Sequence, residues 1–464
     1  MRAHHQMLKL APLAALLAPA LPALATNGMN MEGYGPISTA MGGASQAIEH
    51  GTAAMAQNPA TLALMGAGSR IDVALGVLGP NVASTMPGMG RASSGGNTYV
   101  MPAFGYARRQ GALTYGLGVF AQGGMGTEYT AASWVAGGSG QPVRSELGVG
   151  RLLLPVAYQL TPELAIGGSL DFMWASLDMR MAVPGSMLAM APNGLVTGGT
   201  GALAAMAPGL AASPWVRIDF SNGSDFSGQA KSTGWAGKLG LVYKASPALT
   251  LGASYQLKSS LKDMKTKATG ASISACMAGM PAGTGGLTCP AGTGPFTDLG
   301  RITVQDFQWP AAWGVGLAWQ ATPALLVAAD VKRLEWADVM PSFRMRYDSA
   351  GTMGATGSVS FALPQQWKNE TVTNLGVAWS MSPQLTLRGG INLASSPIPD
   401  GFVNALFPAT VEKHYTLGAG WALSPKSTLN GALTITPTAT VTNGMGQVIT
   451  HRQTNLQVMY TQRF

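Results

Sequence analysis

One pattern is repeated five times along the chain, in the stretches AYQLTPEL (157–164), VYKASPAL (242–249), AWQATPAL (318–325), AWSMSPQL (378–385) and GWALSPKS (420–427). In each stretch an aromatic residue stands four positions before the proline of a Ser/Thr-Pro pair. Because proline has no backbone N–H, it belongs in the turn between two strands rather than within a strand. The pattern therefore predicts five β-hairpins, each with an aromatic residue close to its turn.

The residues on both sides of these turns alternate with a period of two. After one turn, Leu249, Leu251 and Tyr255 share one parity, while Thr250 and Ser254 fill the other. Such alternation gives a strand one apolar face and one small or polar face. An apolar outward face, a polar inward face and a ring of aromatics near short turns are typical of outer-membrane barrels. A soluble sandwich of alternating strands is the alternative.

The expected fold class is all-β, an antiparallel transmembrane β-barrel of about 14 strands. The candidate strands run from residue 70 to residue 464 and include three long ones at 301–320, 324–346 and 428–441. In this arrangement the Ser/Thr-Pro turns lie on the periplasmic side, and the long inserts lie outside the cell. The predicted location is the bacterial outer membrane.

Composition supports a membrane protein built of strands. Only 10% of the 464 residues are charged, whereas soluble domains have about 25%. The 62 glycines and 29 prolines are too many helix breakers for a bundle of membrane-spanning helices. The net charge of +8 is spread over few charged residues, so we expect no nucleic-acid partner.

Three segments divide the chain. Residues 1–25 have the features of a signal peptide, with a basic start, a short apolar stretch and a small-residue cleavage site at 23–25. Residues 26–66 do not alternate and are rich in glycine and alanine. Since a barrel of this size is wider than its own side chains can fill, we expect residues 26–66 to form a hatch, or plug, inside residues 67–464.

Several stretches resemble the FadL family of outer-membrane transporters of long-chain fatty acids and other hydrophobic compounds. The N-terminal ones are GYGPISTAMGGAS (33–45), which contains Gly42 and Gly43, and the triplet Asn58, Pro59 and Ala60. Further matches follow in the family's order, namely QGGMGTEY (122–129), VKRLEWADV (331–339), LRGGINLASSPIPD (387–400) and HYTLGAGW (414–421). The resemblance covers the fatty-acid branch and the toluene and xylene branch equally well.

The resemblance implies passive transport without an energy source or a cofactor. A hydrophobic ligand would be captured by outer loops, held in a pocket above the hatch, and released sideways through a gap at a kinked strand, which bypasses lipopolysaccharide. Gly123, Gly124 and Gly126 lie where the family's kinked strand matches. The uncharged insert from Ala182 to Val216 is the candidate for capture, although it could also fold on itself. We expect a monomer whose partners are the ligand, outer-membrane lipid and lipopolysaccharide.

A fatty-acid ligand would need a cation for its carboxylate. Strand parity places four candidates on the lumenal side: Arg151, Lys238, Lys258 and Arg388. The alternative is that these cations pair with lumenal acids such as Asp171 and Asp330, since an unpaired charge there would be costly. The 26 methionines form no cluster with metal-ligand spacing, so no metal site is expected.

Cys276 and Cys289 are the only two cysteines, and an exported protein would let them form a disulfide in an outer loop. The alternative is that they are two small apolar residues that fill the loop without a bond. No motif for a nucleophilic or phosphate-binding enzyme is evident, so we expect no enzymatic activity. Two alternatives to a hydrophobic-compound transporter stay open at this point: a general aqueous porin and a surface protein with a structural or adhesive role.

Overall fold

The computed structural model describes residues 27–191, 194–220, 229–280, 286–352, 354 and 356–464. The predicted signal peptide at 1–25 lies outside the described residues. Within the described part of the chain, no helix has the length and apolar character needed to cross a membrane.

Strands dominate the structure, and their named pairings are all antiparallel. They join one sheet with these elements: β1 Gly68–Met86, β2 Gly90–Ser93, β3 Tyr99–Gln110, β4 Leu113–Tyr129, β5 Val143–Gln159, β6 Leu164–Val183, β7 Val196–Thr200, β8 Val216–Asp219, β9 Ala230–Ser246, β10 Leu249–Gln256, β11 Ser260–Leu261, β12 Met264–Lys265, β13 Ala271–Ala278, β14 Thr293–Gln305, β15 Ala312–Thr322, β16 Leu325–Leu334, β17 Ser342–Ser349, β18 Ser358–Pro364, β19 Glu370–Ser380, β20 Leu385–Ala394, β21 Lys413–Ser424, β22 Ser427–Ile435, β23 Ala439–Thr442 and β24 Val448–Arg463.

The long strands form a closed ring. Each one pairs with the next, in the order β1, β3, β4, β5, β6, β9, β10, β15, β16, β19, β20, β21, β22 and β24. The ring closes because β24 pairs with β1 from Arg463 to Val448. A closed sheet has no exposed edge, as a barrel in lipid requires. The all-β antiparallel barrel is therefore the observed architecture.

The predicted count of about 14 strands is corrected by the structure, because the whole sheet of the described residues contains 24 strands. The closed ring uses 14 of these strands, and the others, most of them short, extend it. Two effects explain the difference. Segments that the sequence presents as outer inserts add short strands such as β7, β8 and β13, which pair above the ring. Predicted strands 301–320, 324–346 and 428–441 each break at a segment that contains a proline, Pro310, Pro341 or Pro437, because proline cannot donate a ladder hydrogen bond.

The alternation predicted from the sequence is confirmed by the exposure of the side chains. The five aromatic residues of the Ser/Thr-Pro hairpins all face outward, with exposed fractions of 47%, 44%, 44%, 50% and 60% for Tyr158, Tyr243, Trp319, Trp379 and Trp421. Their partners of opposite parity are buried, as Ala157 and Val242 illustrate. The outward face of the ring is thus an apolar surface suited to lipid.

Residues 27–66 lie inside the ring and are almost entirely buried. Side chains from strands on all sides of the barrel contact them, including Asp72 of β1, Lys238 of β9, Asp330 of β16 and Thr416 of β21. The segment contains helix α1, Gly35–Ala40, and two 3-10 helices, Gly51–Ala56 and Pro59–Leu64. It is called the N-terminal segment below.

The outer inserts fold into a cap on one end of the ring. It contains β7, β8, β13, β14, β17 and β18, the helices α2 (Gly201–Ala205) and α3 (Ala207–Ala212), and the 3-10 helices Gly185–Leu188 and Trp336–Asp338. Two more 3-10 helices, Trp134–Ala136 and Asp400–Phe402, lie in neighbouring loops. A disulfide joins Cys276 of β13 to Cys289, with 5.5 Å between their Cα atoms. Buried apolar residues fill the cap and continue into the upper part of the ring.

Candidate functional site

A single carboxylate anchors the first half of the N-terminal segment. Asp330 of β16 is buried, and its Oδ2 accepts the backbone N–H of Ser45 at 2.7 Å and that of Gln46 at 3.1 Å. Next to it, Lys332 Nζ donates to the carbonyl oxygen of Gly43 at 2.7 Å. A charged acceptor strengthens such hydrogen bonds relative to a neutral one. This pair of strand residues therefore holds the segment by its backbone.

Gly42 and Gly43 allow the segment to touch the barrel wall. Both have positive φ values, +68° and +87°. A Cβ on Gly42 would stand 2.5 Å from the carbonyl oxygen of Ile391 in β20, and one on Gly43 would stand 2.0 Å from that of Glu32. Only glycine fits this backbone conformation and this close approach. Asn374 of β19 completes the contact by donating to the Gly42 carbonyl.

Asn58, Pro59 and Ala60 fix the second half of the segment. Asn58 precedes the 3-10 helix Pro59–Leu64, and its Oδ1 accepts the N–H of Ala60 at 3.1 Å. Its Nδ2 donates to the carbonyl of Gln46 at 2.7 Å and to that of Leu241 in β9 at 3.1 Å. The side chain thus ties two parts of the segment to one strand, and Pro at the first helical position presets the turn.

The candidate cations do not form one site. Arg151 pairs with Asp171 at 3.1 Å, and both Arg151 and Lys238 donate to the carbonyl of Ala56 in the N-terminal segment. Arg388 donates to Asn430 at 3.2 Å, and Lys258 is exposed just beyond the end of β10. The structure therefore brings together Arg151 and Lys238 only, and it places them against the N-terminal segment.

The wall of the barrel is incomplete between β3 and β4. Their pairing ends at Phe104 and Val119, although β4 continues to Tyr129. Over this upper part β4 still pairs with β5, and β3 still pairs with β1 as far as Tyr99. The two strands therefore separate on the outer side of Phe104, which leaves a gap in the ladder.

Strand β4 turns towards the N-terminal segment where it leaves β3. Its pairing with β5 has a bulge between Ala121 and Gly123, and Gly123 forms an isolated bridge with Asn30. Gly124 donates its N–H to the carbonyl of Met29 at 3.1 Å. Gly123 has a φ of +156°, and a Cβ there would lie 1.9 Å from the Met29 carbonyl oxygen. Glycine is needed at this contact because of the close approach.

Asn30 is the centre of this contact, and no sequence motif identified it. Its Oδ1 accepts hydrogen bonds from Gln122 Nε2 at 2.6 Å and from Trp309 Nε1 at 2.9 Å. Close by, the hydroxyl of Tyr34 donates to the carbonyl of Gln122 at 2.7 Å. Burial raises the pKa of Tyr34 to about 12, so this phenol stays protonated and remains a donor at neutral pH.

A cavity of about 300 Å³ passes through the wall at the gap. Its outer end is lined by Val100, Val119 and Trp174, which face lipid with exposed fractions of 39%, 37% and 38%. Its inner end reaches the buried side chains of His414 and His451. Gly123, Gly124 and Gly126 line it as well, where β4 turns away. The three glycines predicted at the lateral opening thus lie together in this cavity.

The cavity lining is mainly apolar. Hydrophobic side chains from β1, β3, β4, β5, β6 and the N-terminal segment form most of it, among them Leu78, Val82, Phe120, Met125, Leu147, Val149 and Met29. The polar lining includes Asn30, Glu32, Glu146, Gln453 and Asn455. Among the residues that the structure describes, no lysine or arginine lines this cavity. None of the four candidate carboxylate-binding cations is therefore part of it.

The uncharged outer insert is largely folded on itself. Leu188, Leu203, Leu210 and Trp215 are buried in the cap, with exposed fractions between 0% and 3%. In the described part of this insert, Met190 is the large hydrophobic residue that is clearly exposed, at 54%. The open apolar surface expected for ligand capture is therefore small in this conformation.

Comparisons with known proteins agree with this architecture. A family model described as "Outer membrane protein transport protein (OMPP1/FadL/TodX)" matches residues 14–463. The crystal structure of the Pseudomonas putida toluene transporter TodX is 30% identical, with 94% of this chain and 99% of that chain covered and a TM-score of 0.81. The Ralstonia pickettii toluene transporter TbuX is 28% identical, with coverages of 94% and 99% and a TM-score of 0.75.

A shorter match involves a protein from Chlorobium limicola, described as an uncharacterized protein in the 5′ region of a phosphoenolpyruvate carboxykinase gene. It is 48% identical over 64 residues, which are 14% of this chain and 31% of that protein. The family model, in contrast, extends over nearly the whole chain and agrees with the closed ring and its filled interior. The chain is therefore an integral outer-membrane β-barrel that belongs to the OMPP1/FadL/TodX family of transport proteins.

Proposed function

We propose that this protein lets small, uncharged hydrophobic molecules cross the outer membrane passively. The ligand occupies the cavity beside the N-terminal segment and leaves between β3 and β4 into the lipid. Aromatic hydrocarbons are the ligand class that fits best. The structures of TodX and TbuX, which are described as toluene transporters, support this choice.

The observation that carries the proposal is the cavity that crosses the wall. One end lies among buried residues of the lumen, and the other opens at Val100 and Val119 on the lipid-facing surface. A hydrophobic molecule in this cavity can reach the membrane without entering water. Since the transfer of apolar surface from water to lipid is favourable, no energy source is required.

The size and charge of the cavity favour a neutral ligand over a long-chain fatty acid. A volume of about 300 Å³ is at the small end of the range for ligand pockets. A carboxylate in an apolar site needs a paired cation. Of the carboxylates that line the cavity, Glu146 is already paired with Arg144, and Glu32 would repel a ligand carboxylate. We therefore assign Arg151 and Lys238 a structural role, in which they hold the N-terminal segment through the Ala56 carbonyl.

The N-terminal segment acts as the hatch in this proposal. Its residues fill the lumen, and Asp330, Lys332 and Asn374 bind its backbone. A general aqueous porin would need a wide polar passage through the same space. The protein thus works as a selective, monomeric conduit, and water and ions stay excluded while the hatch is in place.

Uptake of two radiolabelled probes tests the proposal. The full-length protein is expressed in a bacterial host that lacks a member of this family, and the uptake of toluene is compared with the uptake of oleate. We expect the protein to accelerate toluene uptake and to leave oleate uptake at the level of the empty host. Equal acceleration of oleate would contradict the assignment to neutral ligands, and no acceleration of either probe would contradict transport.

A further inference from the structure

A row of cations crosses four neighbouring strands on the outer part of the sheet. Lys231 of β9 stands opposite Lys265 of β12, Lys265 stands opposite Thr303 of β14, and Thr303 stands opposite Arg346 of β17. Both lysines and Arg346 are exposed. Residues that are opposite in an antiparallel pair lie on the same face of the sheet. The three cations therefore point to the same side, with the two lysines on adjacent strands and Arg346 two strands beyond Lys265. The whole row spans three strand spacings, or about 14 Å.

Two further cations extend this row. Lys262 lies next to it, because its backbone N–H donates to the carbonyl of Thr233 in β9, and Arg301 of β14 precedes Thr303 by two residues on the same face. Both side chains are exposed. Lys231, Lys262, Lys265, Arg301 and Arg346 are called the basic patch. Arg346 has an ion pair, at 2.7 Å to Asp348, whereas in the described part of the chain the lysines of the patch have none.

Asp348 serves the two arginines of the patch, because it pairs with Arg346 and stands directly opposite Arg301. The facing lysines Lys231 and Lys265 have no such partner among the described residues. Like charges directly opposite each other in a sheet are destabilising, and Lys231 and Lys265 have this relation. An anionic partner that neutralises both charges at once would remove the repulsion. The arrangement therefore points to a ligand that carries more than one negative charge.

A depression in the surface adjoins the patch. It has a volume of about 510 Å³ and is lined by Arg344 and Arg346 together with the hydroxyl-bearing residues Thr197, Thr200, Ser358 and Ser360. Guanidinium groups and hydroxyls are the donors that suit phosphate oxygens. Arg344 is paired with Asp306 at 2.7 Å and Arg346 with Asp348 at 2.7 Å, so a phosphate there would share these guanidinium groups with the two carboxylates. Together with the hydroxyls they provide donors from several strands for one phosphate group.

The patch lies on the lipid-facing side of the barrel, just beyond the aromatic residues that mark the outer interface. Trp235 and Trp313 face outward with exposed fractions of 51% and 40%. Lys231 has the same parity as Trp235 and stands four residues further out, about 13 Å along the strand. Because barrel strands tilt by about 35–45°, this distance is about 10 Å along the membrane normal, which places Lys231 at the outer edge of the head-group region.

We propose that the basic patch binds the phosphate groups of lipopolysaccharide in the outer leaflet. The lysines of β9 and β12 and the arginines around the depression bind the phosphorylated sugar head group, and the apolar surface below Trp235 contacts the acyl chains. This site is on the outside of the barrel, on β9, β12, β14 and β17, away from the gap between β3 and β4. It is therefore independent of the proposed transport.

Binding of purified lipid A to the full-length protein in phosphatidylcholine nanodiscs tests the proposal, with native mass spectrometry as the readout. The test variant is K231Q/K265Q, which removes the two facing lysines. The matched control is K413Q/R452Q, which removes two exposed cations of the outward face whose cross-strand neighbours are the uncharged Leu393 and Asn81. Both variants lose the same net charge.

We expect K231Q/K265Q to weaken binding of bisphosphorylated lipid A by at least about tenfold. Each cation near an anionic lipid surface raises the binding affinity by about fivefold. The control should lose much less, and enzymatically dephosphorylated lipid A should bind the original protein as weakly as it binds the test variant. Equal losses in the two variants, or undiminished binding of the dephosphorylated lipid, would overturn the proposal. Displacement of lipid A by millimolar inorganic pyrophosphate would also overturn it, because it would indicate a site for a free anion. Heat-modifiable migration in gels confirms that both variants are folded.

Discussion

The two sides of the barrel hold the N-terminal segment in opposite ways. Between β19 and β21 the wall is complete, with nine paired positions on each side of β20. Here the segment contacts the wall at Gly42 without replacing any hydrogen bond between strands. Between β3 and β4 only seven positions are paired, although β4 has 17 residues. There the bonds of Gly123 and Gly124 to the segment stand in place of bonds to β3.

This difference shows how a barrel can be open sideways and still be stable. Backbone groups in lipid must be hydrogen-bonded, so an unpaired strand edge is costly. The N-terminal segment satisfies part of the edge of β4 from inside, which lets β3 and β4 separate. One segment thus closes the lumen along the axis and keeps the wall open at the side.

Removal of the N-terminal segment is the strongest test of this comparison. Deletion of residues 27–65 should leave a folded barrel, because the ring from β1 to β24 pairs without them. The ion conductance in planar bilayers should rise to that of an open porin, since the lumen would fill with water. A folded deletion variant with unchanged conductance would show that other residues close the lumen.

Substitution of Gly123 tests the open side. In Gly123→Ala the new Cβ would stand 1.9 Å from the Met29 carbonyl oxygen, so β4 must move away from the segment. A local strain of about 1–3 kcal/mol corresponds to a loss of toluene uptake of about fivefold to a hundredfold. Gly431→Ala on β22 is the control, because Gly431 lies outside the cavity and its Cβ would meet only the Gln457 carbonyl oxygen at 3.8 Å. Equal uptake by the two variants would contradict a role for the kink.

Substitution of Asp330 tests the closed side with a smaller effect. Asp330→Asn removes the charged acceptor of two backbone N–H groups, at a cost of about 1.5–3 kcal/mol to the docking of the segment. We expect brief openings in single-channel recordings, without the permanent conductance of the deletion. Asp338→Asn, at an exposed position in the neighbouring 3-10 helix, is the control. If openings in Asp330→Asn are as rare as in the control, Asp330 does not hold the hatch.

The smallest expected effect is a pH dependence of the openings, caused by protonation of His50. Its ring is buried in the N-terminal segment with Nδ1 3.0 Å from the Ile48 carbonyl oxygen, and burial lowers its pKa. When the segment is released from the barrel, His50 has its ordinary pKa near 6.5. As the pH falls, the released state therefore binds a proton at His50 before the docked state does. The docked state therefore loses stability as the pH falls below about 6.5, by at most about 1.4 kcal/mol per pH unit. Openings should become more frequent at pH 5 than at pH 7.5, and His50→Gln should abolish this difference.

Much of the wall could be predicted from the sequence because its signals are local. The two-residue period and the Ser/Thr-Pro turns set the orientation of Tyr158 and Trp421 within a few residues of chain. The role of Gly42 was found through the resemblance, and its physical reason is the approach to Ile391, which is far away in sequence. The pairing of Arg151 with Asp171, an alternative that the sequence left open, is also observed.

The rest of the site depends on contacts between distant residues. Ser45 and Asp330 are 285 positions apart, and Asn30 and Trp309 are 279 apart, so no local pattern connects them. The strand count for the whole sheet was too low because strands of two to eight residues outside the ring, such as β12 and β13, are too short to show a period. The position of the cavity follows from the separation of β3 and β4. This separation depends on how all strands pair around the ring, so no single stretch of sequence predicts it.

The pairing of the first barrel strand with the last has a consequence for assembly. Ser69 and Phe464 are joined by two backbone hydrogen bonds, and the seam continues from Arg70 to Thr85 along β24. Residues 27–66 directly precede this first strand and lie enclosed by the finished cylinder. We therefore expect these residues to be inside before β1 and β24 pair, because the finished wall surrounds them on all sides. A chain stalled before its final strand would leave the same residues reachable by periplasmic proteases, so their protection from cleavage reports the moment of closure.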